Sequence, residues 1–211
     1  MRFDLFDDTQ NHILGAKTYA DFKTALENSG CTRCGLAASR THIVVDRGNP
    51  GARVLFIGEG PGENEDLQGK AFVGRAGRLL DELLRQTGFD PEADALIANV
   101  VKCRPPENRA PTQKEAETCL PFLKKQIELV GPRFIVLLGA TALKHLIPDK
   151  GQFKMGEETG KFFDHAEYPG IRFMVLFHPA YLLRDPRKTP AMLEHLKRFK
   201  EAYDQASLNK I

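Results

Sequence analysis

Residues 53–84 read RVLFIGEGPGENEDLQGKAFVGRAGRLLDELL, and the fold turns on this stretch. An apolar segment, Val54 to Ile57, has the length and bounding of a buried strand. It breaks at once into Gly58-Glu59-Gly60-Pro61-Gly62, where three glycines and a proline exclude either regular element and demand a tight loop that other groups can approach closely. Past an acidic patch and a lone aromatic, Phe72, the pattern turns helical, with Leu79, Leu80, Leu83 and Leu84 on one face. A loop at the carboxyl end of a strand, feeding a helix, is where open α/β sheets bind ligands. The site is expected here.

The same alternation continues to the carboxyl end. Strands are predicted at 53–57, 95–101, 134–138 and 172–177, with helices at 75–87, 113–130, 140–147 and 189–205. Thr112 with Glu115 forms a capping-box signature at the head of the second helix, and Pro121 is expected to kink or divide it. Four β-α units predict an α/β fold with a mainly parallel sheet and helices on both faces. Upstream, Tyr19, Phe22 and Leu26 fall at helical spacing, and Ile43 to Val45 reads as a short strand or extended connection. Residues 1–17 read as a loosely docked tail, and 148–171 as a long loop or irregular hairpin.

At 211 residues and 42% hydrophobic content the chain can bury a full core, and residues 1–211 read as one domain. The net charge of +2 does not announce a nucleic-acid binder, but its distribution is uneven. Residues 1–30 hold three Lys/Arg against five Asp/Glu, whereas residues 172–200 hold seven against two, a basic end able to face a polyanion. No apolar run approaches the roughly 18 residues that span a bilayer, and the first 30 residues lack a secretory apolar core. A cytoplasmic protein with no membrane association is expected, in which disulfides are rare.

The four cysteines therefore need another reason. Cys31-Thr-Arg-Cys34 is a two-ligand metal clip; Cys103 follows the second strand, and Cys119 lies in the next helix with fifteen residues between them. Two lone buried thiols are the plain reading of the second pair, but a C-x-x-C upstream favours one four-thiolate centre. Zinc accepts four thiolates in a closed site, as does an iron–sulfur cluster. The long spacing of the second pair favours the cluster, with zinc the alternative.

Three motifs together carry a resemblance: Gly58-Glu59-Gly60-Pro61-Gly62-Glu63-Asn64-Glu65-Asp66, Gly69-Lys70-Ala71-Phe72-Val73-Gly74 and His178-Pro179-Ala180-Tyr181-Leu182-Leu183-Arg184. With the four cysteines, they resemble a family 4 uracil-DNA glycosylase of the iron–sulfur type, over about Cys31 to Arg187. The resemblance implies a three-layer α/β/α fold around a four-stranded sheet, a [4Fe-4S] cluster on Cys31, Cys34, Cys103 and Cys119, and removal of uracil from DNA without strand cleavage. It implies a monomer acting on uracil-containing DNA. Glu59, Glu65 and Asn108 would serve the catalytic water. Phe72 would stack on the base beside Gly60, Asn99 would read its polar edge, and His178 would hydrogen-bond uracil O2. Ala71 stands where many relatives have proline, and Asp185 where asparagine is common. The segment Arg104 to Arg109 lacks the inserted histidine loop of the branch that bonds DNA covalently, so turnover is expected.

These residue types suit that reaction. A uracil must be flipped out of the duplex at a cost of a few kcal/mol, and stacking on Phe72 returns roughly 1 to 3 kcal/mol per base. A neutral His178 donates to the charge developing on the departing base. Asn99 offers the donor and acceptor that a uracil edge needs and that cytosine mismatches. Leu182 and Leu183 are candidate wedges, with Arg184 and Arg187 on phosphates; at least one leucine is expected to pack under the last helix instead. The plain alternatives are a core phenylalanine, a strand-capping histidine, a satisfied core amide and solvated loop carboxylates. At the level of function the competing reading is a catalytically silent, metal-stapled nucleic-acid-binding module. A third reading, the nucleotide-phosphate cradle of a transferase, is the poorest, because Glu59, Glu63, Glu65 and Asp66 repel phosphate and no Gly-Lys-[Ser/Thr] follows.

Overall fold

The structure, a computed structural model, describes residues 5–150 and 153–208. In chain order the elements are α1 (Leu5–Leu14), α2 (Tyr19–Glu27), β1 (Asp46–Gly48), β2 (Val54–Gly58), α3 (Glu63–Gln68), α4 (Arg75–Gln86), β3 (Ala95–Asn99), α5 (Gln113–Val130), β4 (Phe134–Leu138), α6 (Ala140–Leu146), α7 (Met155–Glu158), β5 (Phe162–Asp164), β6 (Arg172–Leu176), α8 (Pro179–Arg184) and α9 (Thr189–Leu208). The sheet order is β1-β3-β2-β4-β6-β5. Strands β3, β2, β4 and β6 are mutually parallel, and the short edges β1 and β5 run antiparallel to their neighbours.

Every residue of β2, β3 and β4 is buried, as a parallel sheet covered on both faces requires. Alternate residues feed two separate cores. Leu55, Ile57, Leu96, Ala98, Ile135 and Leu137 face a core that includes Phe22 and Leu26 of α2 and Phe122 and Leu123 of α5. Val54, Phe56, Ile97, Val136 and Leu138 face the other, with Leu80 and Leu84 of α4 and Met192, Leu196 and Phe199 of α9. The result is the expected α/β/α layering.

The sheet has six strands where four were expected. The two additions are three residues each and lie at the edges; β5 with α7 occupies part of the stretch read as a long loop or irregular hairpin, and β5 turns back antiparallel onto β6, as the hairpin reading has it. Residues 151–152 of that stretch lie outside the described residues. Ile43 to Val45 are buried connection, and the strand begins one residue later, at Asp46. The supposed tail is helical over Leu5–Leu14, and Ile13 is 1% exposed against the α2–α5 core; residues 1–4 lie outside the described residues. Helix α5 runs through Pro121 undivided, and its capping box is formed: Glu115 N–H donates to Thr112 Oγ1 at 3.2 Å and Thr112 N–H to Glu115 Oε2 at 2.8 Å.

The parallel arrangement positions the site. The chain leaves β2 toward β3 on one side and leaves β4 toward β6 on the other, so the carboxyl ends of β2 and β4 form a topological switch point, where such sheets open a crevice. Thr141, in the first turn of α6, donates across that gap to Glu59, one residue past β2.

Candidate active site

A cleft of about 440 Å³ lies at this edge, and Glu59, Gly60, Glu65, Phe72, Asn99, Asn108, His178 and Arg184 all line it. The segments at the carboxyl ends of β2, β3 and β6 thus bring together residues spread over 126 positions of sequence, counting from Glu59 to Arg184. The volume is within the range that takes a small organic ligand.

Phe72 forms one wall. Its φ of 55° is left-handed, uncommon for a bulky side chain, and the surrounding backbone must hold it there. Glu65 supplies one restraint, since its carboxylate accepts from Gly62 N at 3.1 Å and from Gly74 N at 2.6 Å, tying the start of α3 to the segment beyond Phe72. Gly77 supplies another: a Cβ at this position would overlap the Phe72 carbonyl, so only glycine lets α4 seat against the loop. Asp66 anchors the outer side, accepting from the Thr41 and His42 backbone at 2.8 and 3.2 Å.

Asn99 closes the end of β3. It is 1% exposed, and its Oδ1 has no hydrogen-bond partner in the protein. A buried acceptor left unpaired costs about 1 to 3 kcal/mol, so a ligand donor is the natural complement. Gly58 makes room for it: a Cβ there would overlap the Phe72 ring and lie 2.6 Å from Asn99 Oδ1.

His178 caps α8. Its Nδ1 accepts from Ala180 N at 3.2 Å, which fixes the tautomer and leaves the proton on Nε2. Burial, assisted by the Arg184 charge, pushes its pKa down to about 4, so the ring is a neutral donor at neutral pH. The Phe72 and His178 rings lie 5.7 Å apart, tilted by 38°.

Asn108 sits in the turn after β3, where both Glu107 and Asn108 have positive φ. Arg104 Nε donates to Asn108 Oδ1 at 2.8 Å, which orients the amide toward the cleft. Next to it, Arg109 and Glu115 form a bidentate pair at 2.7 and 2.8 Å, and Glu115 falls to about 2 mainly through that contact.

The α8 region divides as the sequence reading allowed. Leu182 is 1% exposed and belongs to the α4–α9 core, so it is no wedge; Leu183 is 39% exposed. Arg184 lines the cleft, whereas Arg187 stands outside it and donates to Asp185 at 2.7 Å. Sequence reasoning missed Thr141, Arg75, Arg104 and Arg109. Thr141 follows a strand end, a signal that was available; the three arginines had none beyond their charge.

The four cysteines also meet. Cys31, Cys34, Cys103 and Cys119 line one small cavity of about 20 Å³ with Leu26, Ile43 and Phe122, on the α2–α5 side of the sheet. Among the described residues, no group of three or more His, Cys, Asp or Glu has the geometry to hold a single metal ion. The donor chemistry is that of a thiolate centre: Arg40 Nη1 points to Cys103 Sγ at 3.6 Å and Lys102 N–H to Cys119 Sγ at 3.3 Å. Burial pushes the free thiols up, Cys103 to about 12 and Cys119 to about 11.

Comparison with known proteins matches residues 45–205 to the Uracil DNA glycosylase superfamily. The chain belongs to the uracil-DNA glycosylase superfamily. It is 49% identical over 155 residues to the type-4 uracil-DNA glycosylase of Thermotoga maritima, covering 74% of this chain and 79% of the relative. With the type-4 uracil-DNA glycosylase of Saccharolobus solfataricus it shares 40% identity over 177 residues, 82% and 81% of the two chains. A type-5 uracil-DNA glycosylase of Mycobacterium leprae is 33% identical over 172 residues, 72% and 73% of the two. The stretch matching the uracil-DNA glycosylase superfamily contains every cleft residue named above together with Cys103 and Cys119, and it begins after Cys31 and Cys34. No described helix is long and apolar enough to cross a membrane.

Proposed function

We propose that the chain is a monofunctional uracil-DNA glycosylase, acting as one domain and a monomer on uracil-containing DNA in the cytoplasm. The observation that carries this reading is an unpartnered, buried Asn99 Oδ1 and a neutral, Nε2-protonated His178 lining one cleft. Uracil presents N3–H to the first and O2 to the second. Cytosine offers no N3–H, so Asn99 Oδ1 would stay unpaired, a penalty of the kind that gives strong discrimination. Phe72 supplies the stacking face.

As the N-glycosidic bond breaks, its electron pair leaves with the base and positive charge builds on the sugar. His178 Nε2–H donates to O2 where the negative charge gathers, and losing such a donor typically costs about 10² to 10³ in rate. A water oxygen then bonds to the sugar carbon and its proton is released. Glu59, held by Thr141, is the carboxylate free to face that water and the cationic sugar. Asn108, held by Arg104, is its second anchor. Glu65 has both oxygens engaged by backbone donors, and its part in catalysis is to hold the loop. Leu183, Arg184 and Arg187 meet the DNA, with Arg75 and Arg109 adding cations at the rim.

Cys31, Cys34, Cys103 and Cys119 would hold a [4Fe-4S] cluster, with zinc the weaker alternative. When bound, the group supplies a tie between the segment after α2 and the turn after β3, with no open position for chemistry. The decisive experiment incubates purified protein with a uracil-containing oligonucleotide: alkali-labile abasic product is expected, and a shifted band without product favours the silent-module reading. Anaerobically purified protein is expected to be brown with about four irons per chain on four thiolates; colourless protein holding one zinc refutes the cluster.

A further inference from the structure

Behind the Asn99 backbone, between β3, α2 and α5, lies a buried polar network that the chemistry above does not use. Lys102 is 1% exposed, and its ammonium donates to Asn99 O at 3.0 Å, Val45 O at 3.3 Å and Gln126 Oε1 at 2.6 Å. Three protons meet three acceptors, so the group is satisfied in full. Gln126, 0% exposed, passes the network on to Tyr19 OH at 2.6 Å, and Tyr19 OH donates to Asp46 at 2.5 Å.

We propose that Lys102 is a positioning residue for base recognition: by holding the Asn99 carbonyl from behind, it fixes the amide that reads the uracil edge. This inference rests on the uracil-glycosylase reading above. Asn99 ends β3, and the chain turns away immediately after it. On one side it pairs with Gly58 of β2, and Val100 N and Val101 N reach back to Gly58 O and Glu59 O at 2.9 and 3.2 Å; on the other the pairing with β1 stops at Ala98, one residue short. The Asn99 side chain has no restraint on Oδ1, so its aim depends on the backbone that carries it. Lys102 is itself fixed in place. Its N–H is on Cys119 Sγ, and its carbonyl accepts from Val44 N at 2.7 Å. The side chain therefore crosses from a rigid turn to the strand end that reads the base. A bare stability role would be met by an apolar residue filling the same volume, since burying an ammonium carries a desolvation penalty that only its partners offset.

The test measures kcat and KM on a uracil-containing oligonucleotide, inhibition by free uracil, and melting temperature. Lys102→Met keeps the stem and removes the donors. Its kcat is expected to fall roughly 10²-fold, the effect of a displacement near 1 Å at a recognition group, with free-uracil inhibition weakened and KM for DNA nearly unchanged. Gln126 gives a second route if Lys102→Met does not fold. Gln126→Glu keeps an acceptor for the ammonium and should retain most of the wild-type kcat, whereas Gln126→Met should lose both kcat and uracil inhibition. A folded Lys102→Met with unchanged kcat and uracil inhibition, or Gln126→Met behaving as Gln126→Glu does, overturns the inference. If the wild-type protein neither releases uracil nor is inhibited by it, the glycosylase reading fails instead.

Discussion

The cleft and the cysteine cavity are both built from the turn that follows β3, yet they treat polar atoms in opposite ways. In the cleft, Asn99 Oδ1 is buried and unpaired, and His178, which lines the same cleft, has one nitrogen committed to the backbone. Around the cysteines, Arg40 and the Lys102 N–H already point to two of the sulfurs, and apolar Leu26, Ile43 and Phe122 share the lining with Arg33 and Thr118. Open polar atoms mark the region that awaits a transient ligand; engaged ones mark the region that holds the fold. The same contrast separates the two carboxylates once grouped together, for Glu65 spends both oxygens on Gly62 and Gly74 while Glu59 is held by Thr141 alone.

The largest effect expected from this contrast is on rate in the cleft. His178→Ala should lower kcat by about 10² to 10³, the usual cost of a lost transition-state donor, and Asn99→Ala, which removes the acceptor for N3–H, should also lower kcat strongly, with binding to uracil-containing DNA little changed. Equal losses of rate and affinity would show that they only bind. At the cysteine cavity, if the proposed cluster is held there, Cys103→Ser should carry less iron than the wild type on analysis and melt lower, and a variant that matches the wild type in both would break the comparison from that side.

Smaller effects separate the two leucines of α8. Leu182→Ala should destabilise the protein by about 2 to 5 kcal/mol, as buried leucine truncations do, and leave the salt dependence of DNA binding alone. Leu183→Ala should stay within about 0.5 kcal/mol in denaturant melts while weakening binding to uracil-containing duplex. The last effect is on pH. With His178 depressed to about 4 from 6.5, its ring stays neutral as pH falls through 6.5, so activity limited by it should hold until pH approaches 4. The sign for stability is opposite to a salt-bridged histidine. The unfolded chain takes up the proton first, so the contribution is intact above pH 6.5 and is lost as pH falls toward 4. A pH profile that breaks near 6.5 would mean that the ring is solvated.

The four parallel strands were legible because each is a short apolar run bounded by glycine or a charge, and their partner helices carry clear apolar faces. Strands β1 and β5 were not, because three residues such as Asp46-Arg47-Gly48 hold no alternation to read; their pairing comes from the neighbouring strand. Helix α1 was missed for a related reason, since a largely polar decapeptide docks through Ile13 while its other apolar positions are scattered. The cleft residues on motifs were found from the sequence, and so were the cysteines. What escaped was support: Thr141, Arg104 and Lys102 act through other side chains, and only the register of β2 against β3 and β4 brings them there. The leucine pair shows the same boundary, because residues 182 and 183 are identical in type and differ only in which way a six-residue helix turns them.

Gly58 joins the stacking face and the reading amide through a missing atom. A methyl group at that position would press on the Phe72 ring and on Asn99 Oδ1 together, acting as a built-in plug in the place reserved for a base. The selectivity of the whole pocket is thus written partly as a blank, one hydrogen wide, at the carboxyl end of β2.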